Sequence, residues 1–335
     1  MKIALIGLPG SGKSTLFTAI TGLHPDEKEI LKPHLGTVFV PDERLDNLAQ
    51  ILNPKKLTYA EMTFLDTHSL DLVHSKEADA LIVIIGVFSG AAPKKDAEEI
   101  YTNFILSDLQ ILEHRLPTMK KEIEAGKRLK DQPEYNLLSK CKVHLEKARP
   151  LRELGFTRDE EKLLHGYQFL SLKPLFLIAN IDEEQIGKSQ NKELEEFSKR
   201  ENLEVIELCA KIEAEILELA EEERAEFIKS IGISELSEER IVKMAYKTSN
   251  LVSFFTVKGD ETRSWPVRRG THAIDAAGKV HTDIQRGFIR AEVINYKDFM
   301  ECKDFNEAKK RGLLRLEGKD YAVQDGDIIN FKFSV

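Results

Sequence analysis

Apolar residues follow two rhythms along this chain. Short unbroken runs occupy residues 2–6, Glu61–Leu65, Ala80–Phe88, Leu175–Ala179 and Glu204–Leu208. Runs of this length between polar loops predict strands buried on both faces, as in a parallel sheet. Leu16, Phe17, Ala19 and Ile20 instead recur at helical spacing just after the first run. The expected fold class is α/β, a doubly wound sheet whose ligands bind at the C-terminal strand ends. Those ends carry Gly7, Asp66, Asn180 and Cys209.

Between Asp96 and Gly166 the rhythm becomes helical throughout, with Phe104, Ile105, Leu109, Leu112 and Leu116, then Leu137, Leu138, Cys141, Val143 and Leu145. An antiparallel helical hairpin is expected, broken near Pro133 and residues 150–155, with a capping box at Thr157 opening a further helix. Residues 211–250 read as acidic helices. From Leu251 the pattern changes to a hairpin around Gly259-Asp260, a short helix over Thr271–Lys279 and a last strand over Ile328–Ser334. The expected organisation is a discontinuous nucleotide-binding domain (1–95 and 171–250), a helical insertion (96–170) and a sheet-rich tail (251–335).

Length and charge refine this outline. A chain of 335 residues exceeds one ordinary core, and 41% hydrophobic residues suffice to build several. The net charge of -8 argues against coating duplex DNA or a membrane through bulk charge. That excess of acid lies entirely in residues 1–250, because the tail holds 15 Lys plus Arg against 13 Asp plus Glu. Three widely spaced cysteines form no ligand or disulfide pattern and suit a reducing compartment. The longest apolar run, Ala80–Phe88, is far short of a membrane helix, and Met1–Leu8 lacks a cleavage pattern. A cytoplasmic protein with no membrane or DNA partner is expected.

The candidate chemistry begins with Gly7-Leu8-Pro9-Gly10-Ser11-Gly12-Lys13-Ser14-Thr15, which fits G-x-x-x-x-G-K-[ST] between a strand and a helix. The loop formed by Gly7, Pro9, Gly10, Ser11 and Gly12 would turn backbone N–H groups onto phosphate oxygens of ATP or GTP, and Thr15 continues it into the helix. Lys13 would supply a cation to the β and γ phosphates, and the Ser14 hydroxyl a ligand for Mg²⁺. Asp66 would hold Mg²⁺ through water and act with Lys13 in catalysis; a turn residue or helix cap is the alternative. Asn180-Ile181-Asp182-Glu183 and Cys209-Ala210-Lys211 look like two base-recognition loops, through Asn180, Glu183, Ala210 and Lys211. Residues 182–184 read nearly as well as the acidic first turn of a helix.

These words together resemble the YchF / Obg-like ATPase family of P-loop NTPases, within the TRAFAC GTPase class. The resemblance also rests on Val40-Pro41-Asp42-Glu43-Arg44-Leu45-Asp46, Cys209 to Glu215, Ala277 to Asp283, Gly287 to Val293 and Gly318-Lys319-Asp320-Tyr321. It implies a P-loop domain interrupted by a helical hairpin, and a C-terminal TGS module, a ubiquitin-like β-grasp fold. It further implies an Asn-x-x-Glu loop associated with ATP use, slow triphosphate hydrolysis and association with ribosomes.

Three positions depart from that pattern. Gly10 stands where the family usually has Asn, Ile30 where it has a switch threonine, and Asp66-Thr67-His68-Ser69 replaces Asp-x-x-Gly before a shortened switch. Binding should therefore survive better than hydrolysis, and a non-hydrolysing nucleotide-dependent adaptor is the alternative function. A metabolite kinase is disfavoured by the tail and by the lack of an Arg-rich lid. Thr67 could replace a lost hydroxyl ligand or cap a helix, and His68 reads as a loop histidine rather than a catalytic one. RNA could meet Lys120, Lys121, Lys127, Arg128 and Lys130 of the insertion, or Arg263, Arg268, Arg269, Arg286 and Arg290 beside Trp265 and Phe288. The plainer readings are a solvated face for the lysines, packing for the two aromatics and a structural hydrogen bond for His281.

Overall fold

The computed structural model describes residues 1–25, 33–67, 70–88, 90–126, 132–188, 191–231 and 236–334. Its strands are β1 (Lys2–Ile6), β2 (His34–Val40), β3 (Lys56–Thr58), β4 (Ala60–Asp66), β5 (Ala80–Val87), β6 (Leu175–Ile181), β7 (Val205–Leu208), β8 (Leu251–Lys258), β9 (Glu261–Arg268), β10 (Phe288–Asn295), β11 (Arg315–Glu317) and β12 (Asp327–Phe333). The helices of the first 250 residues are α1 (Lys13–Thr21), α2 (Glu43–Leu52), α3 (Leu72–Ser75), α4 (Pro93–Glu124), α5 (Gln132–Leu145), α6 (Arg158–His165), α7 (Lys192–Arg200), α8 (Ala210–Glu218), α9 (Glu221–Ser230) and α10 (Ser237–Thr248). The tail adds α11 (Ala273–Val280), α12 (Thr282–Arg286), α13 (Tyr296–Cys302) and α14 (Phe305–Lys310).

Two compact units divide the chain: Met1–Val38 with Thr63–Ile241, and Phe39–Met62 with Val242–Val335. In the first, a six-stranded sheet has the order β2-β4-β1-β5-β6-β7. β1 runs parallel to β4 and β5, β5 to β6, and β6 to β7. Every residue of β5 and β6 is buried, which explains why both read as continuous apolar runs. Leu5 is in register with Asp66, and Asn180 with both Gly86 and Leu208, so the polar residues collect at one edge. Ile100, Tyr101 and Phe104 of α4, Phe197 of α7 and Ile212 and Ile216 of α8 belong to the same apolar cluster as the sheet.

The insertion keeps a core of its own. Ile105, Leu112, Leu116 and Met119 of α4 pack with Leu137, Leu138, Cys141 and Leu145 of α5. Pro133 lies in the first turn of α5, where its missing N–H costs nothing, so it opens that helix instead of breaking it. Val143, expected on the apolar face, is 52% exposed. Thr157 and Glu160 form the expected reciprocal capping box of α6. Among the described residues, no helix is long and apolar enough to cross a membrane.

In the second unit, the sheet order is β11-β10-β12-β8-β9-β3. β8 and β9 form an antiparallel hairpin about Gly259, whose φ of 59° is the left-handed value such a turn requires. α11 and α12 share one apolar cluster with Phe254, Val293 and Phe331, while α2, α13 and α14 share another with Phe255, Ile294 and Ile328. Residues 39–62 and 242–250 therefore group with the tail, where the sequence pattern keeps them in the nucleotide-binding domain. The reason is long-range pairing: β3 runs parallel to β9, and Leu45 and Leu48 of α2 are wholly buried in the second cluster.

Candidate functional site

β1 delivers the chain into a loop that only glycine permits at two points. Gly10 and Gly12 have φ of 82° and 84°, and a side chain on Gly12 would collide with the carboxamide of Asn180. Gly12 is also the N-cap of α1 and offers no side-chain cap. The first N–H groups of α1 are thus left for an external anion, which the helix dipole also favours. Ser14 and Thr15 are exposed in that first turn. A phosphate chain is what such a terminus holds.

Lys13 points inward. Its ammonium lies 2.6 Å from Asp66 Oδ1 and also donates to the backbone carbonyl of Thr67. Lys13 is 9% and Asp66 3% exposed, so this is a buried ion pair. Asp66 is the last residue of β4, and the cap of α3 is Asp71, which accepts from the N–H groups of Val73 and His74. Neither the cap reading of Asp66 nor that of Thr67 matches this geometry. The Thr67 hydroxyl is buried without a hydrogen-bond partner. Ser14, Asp66 and Thr67 offer only oxygen donors, the ligand chemistry that a hard divalent cation such as Mg²⁺ selects.

Asn180 is 4% exposed and its carboxamide works twice. Nδ2 donates to the Ser11 carbonyl, and Oδ1 accepts the Ala210 N–H, both at 2.9 Å. It therefore ties the phosphate loop to the start of α8, a structural task beyond the base contact expected of it. Asp182 and Gln185 form a capping box around a short 3-10 turn, Glu183–Gln185. Glu183 also pairs with Lys211 at 2.6 Å, a hydrogen bond that raises the Lys211 pKa. Both readings of residues 182–184, acidic first turn and base loop, are thus compatible with one geometry.

A cavity of about 910 Å³ opens between these loops, lined by Gly12, Thr15, Phe88, Ile181, Glu183 and Lys211 among others. That volume suits a nucleoside, and the apolar side chains offer a ring its faces. A second cavity of about 130 Å³ lies against Pro9, Gly10 and Ser11 and shares Phe88. Phe88 escapes a sequence reading because it ends an apolar strand run and counts there as core. Cys209 also lines the larger cavity, and burial pushes its thiol pKa up, away from reactivity. Ile30 and His68 lie outside the described residues.

Of the residues that could meet RNA, the two aromatics and Arg263 are engaged in packing. Trp265 stacks on Phe254, carries the Arg263 guanidinium 4.1 Å from its ring centroid and donates to Thr256, while Phe288 is 6% exposed. Packing accounts for both rings. Lys120 lies 3.9 Å from Glu124, and Lys127, Arg128 and Lys130 lie outside the described residues. His281 accepts from the Asp283 N–H as the N-cap of α12, a structural hydrogen bond.

Comparison with known proteins gives a consistent picture. A family model named YchF-GTPase_C, described as a protein of unknown function (DUF933), matches residues 251–334. The Ribosome-binding ATPase YchF of Buchnera aphidicola is 35% identical over 360 residues, covering 100% of this chain and 99% of that protein. The Bacillus subtilis protein of the same name is 35% identical over 366 residues, covering 100% of both. Among solved structures, the Schizosaccharomyces pombe YchF GTPase superposes with a TM-score of 0.82 at 26% identity, covering 99% of this chain and 97% of that one.

Proposed function

The chain belongs to the YchF family, and from that premise we propose that it is a ribosome-associated P-loop nucleotide-binding protein that hydrolyses ATP or GTP slowly with Mg²⁺. The observation that carries this reading is the uncapped first turn of α1 behind Gly12, with Lys13 beside it. The names of its relatives, ribosome-binding ATPases, support the enzyme class and the partner. A ribosome partner in turn implies work in the cytoplasm. The TGS-like tail and the helical insertion are the surfaces offered to the ribosome or its RNA.

In this reading the phosphates lie on the loop from Gly7 to Ser14 and the base lies between Asn180–Glu183 and Ala210–Lys211. Lys13 leaves Asp66 and turns to the β and γ phosphates, where its charge offsets that of the transferring group. Ser14 and Asp66, with the Thr67 hydroxyl nearby, would hold Mg²⁺. When bound, the ion neutralises phosphate charge. Asn180 keeps the two loops at a fixed separation, so that base and phosphates are gripped together. Glu183 is tied to Lys211 and is a poor free acceptor for guanine N–H groups, so ATP should bind no more weakly than GTP.

Calorimetric titration with Mg-ATP and Mg-GTP tests the binding half, and turnover at saturation tests the enzyme half, with Lys13→Ala as the blank. Binding of neither nucleotide would sink the reading. Tight binding with turnover no higher than the blank favours the second reading, a nucleotide-dependent adaptor. That alternative is motivated by Asp66-Thr67-His68-Ser69, which lacks the glycine whose N–H would meet a γ-phosphate.

A further inference from the structure

Glu213 lies in the first turn of α8, two residues beyond Lys211, and is 4% exposed. A buried carboxylate is costly unless hydrogen bonds replace its hydration. Among the described residues they come from Ser237. Ser237 donates its backbone N–H to Oε2 at 3.0 Å and its hydroxyl to Oε1 at 2.5 Å, and is itself 2% exposed. Because Ser237 is the first residue of α10, a helix of 12 residues, the carboxylate also faces that helix's positive end.

The same turn of α8 carries Lys211, which lines the base cavity, and begins at Ala210, which is buried behind it. The Ala210 N–H is held by Asn180, and the Lys211 ammonium by Glu183. Successive residues of a helix are rotated by about 100°, so anchoring residue 213 sets the direction in which 210 and 211 face. Buried hydrogen bonds run from the Ser11 carbonyl through Asn180 to Ala210, and from the same helical turn through Glu213 to Ser237. Neither Glu213 nor Ser237 borders the cavity.

We propose that Glu213 is a positioning residue for nucleobase recognition: through Ser237 it holds the first turn of α8, and with it Lys211, against the base cavity. This rests on the proposed reading of that turn as a base loop. The loop from Gly7 to Ser14 is joined to the clamped turn through Asn180 alone among these bonds, so losing the clamp should weaken base recognition far more than phosphate recognition, and that difference makes it testable.

The full-length chain and its Glu213→Ala, Glu213→Gln and Ser237→Ala variants are titrated with Mg-ATP and with Mg-tripolyphosphate, which engages the phosphate loop alone. Glu213→Ala should weaken ATP about tenfold while tripolyphosphate stays within about twofold. Ser237→Ala should fall between, since its backbone N–H remains, and Glu213→Gln should recover part of the loss. In turnover the defect should appear in KM with kcat preserved. Hydrogen exchange of the unmutated chain is independent of any folding defect: amides at the start of α10 should slow with ATP and not with tripolyphosphate. Equal losses for both ligands, no loss for either, or exchange that responds alike to both would overturn the proposal. A wild-type chain that binds ATP, CTP and tripolyphosphate alike would overturn the base-loop reading, and the proposal with it.

Discussion

Asn180 donates its carboxamide N–H to the carbonyl of Ser11 across 169 residues of sequence, at 2.9 Å, in a buried hydrogen bond. The bond closes the phosphate loop against the end of β6, and the same side chain receives the Ala210 N–H. Asn180→Ala would leave a buried acceptor and a buried donor unpaired, each costing about 1–3 kcal/mol. Asn180→Asp keeps the shape but replaces the donor with a second acceptor facing Ser11. Both variants should lower the urea midpoint and weaken nucleotide binding together. Unchanged stability with weakened binding would instead mean that Asn180 serves the base alone.

The pair formed by Lys13 and Asp66 makes a second prediction. Both groups are almost wholly buried, so removing one partner leaves an uncompensated charge, a loss of about 3–5 kcal/mol in such settings. Lys13→Ala and Asp66→Ala should therefore each destabilise the nucleotide-free protein, and the double variant should cost less than the two losses added. Urea unfolding of the four proteins in a double-mutant cycle measures the coupling. Additive losses would mean that Lys13 and Asp66 do not interact in the free protein.

These two cases mark what is legible in the sequence and what is not. Gly7, Gly12, Lys13 and the strand and helix around them are local, so spacing alone points to their chemistry. Asn180 is legible as a polar residue at a strand end, but its role depends on Ser11 and Ala210, which lie 169 and 30 residues away. The boundary near residue 39 is hidden for the same reason: β3 has only three residues and gains its place by pairing with β9. Glu213 reads as one more acid in an acidic helix until Ser237 is seen beside it.

Asp108 offers a pH test inside the insertion. It is fully buried on α4; burial raises its pKa to about 6, although hydrogen bonds from Ser171 and Leu170 oppose the rise. An acid whose folded pKa exceeds its unfolded value favours folding most at low pH. Its contribution is fully present below about pH 4 and is lost as pH rises through about 6. The shift corresponds to roughly 3 kcal/mol at order-of-magnitude precision. Carbon-13 NMR of the Asp108 carboxyl should titrate near pH 6, and a midpoint near 4 would show that the amides of Leu170 and Ser171 outweigh burial.

The contact between Glu183 and Lys211 bears on base choice. Guanine recognition by a carboxylate needs two acceptor oxygens free for N–H groups, and in this chain one of them is held 2.6 Å from an ammonium. Lys211→Met keeps the aliphatic stem against the cavity while releasing Glu183. Both side chains are exposed at the cavity rim, so solvent already weakens the pair and its removal should move affinity by fivefold at most. The direction is the informative part: the ratio of GTP to ATP affinity should rise in Lys211→Met, and in Glu183→Gln it should not. Calorimetry with both nucleotides on the three proteins measures the ratio. If Lys211→Met weakens ATP and GTP equally, the ammonium contacts the nucleotide directly, and restraint of Glu183 has no part in selectivity.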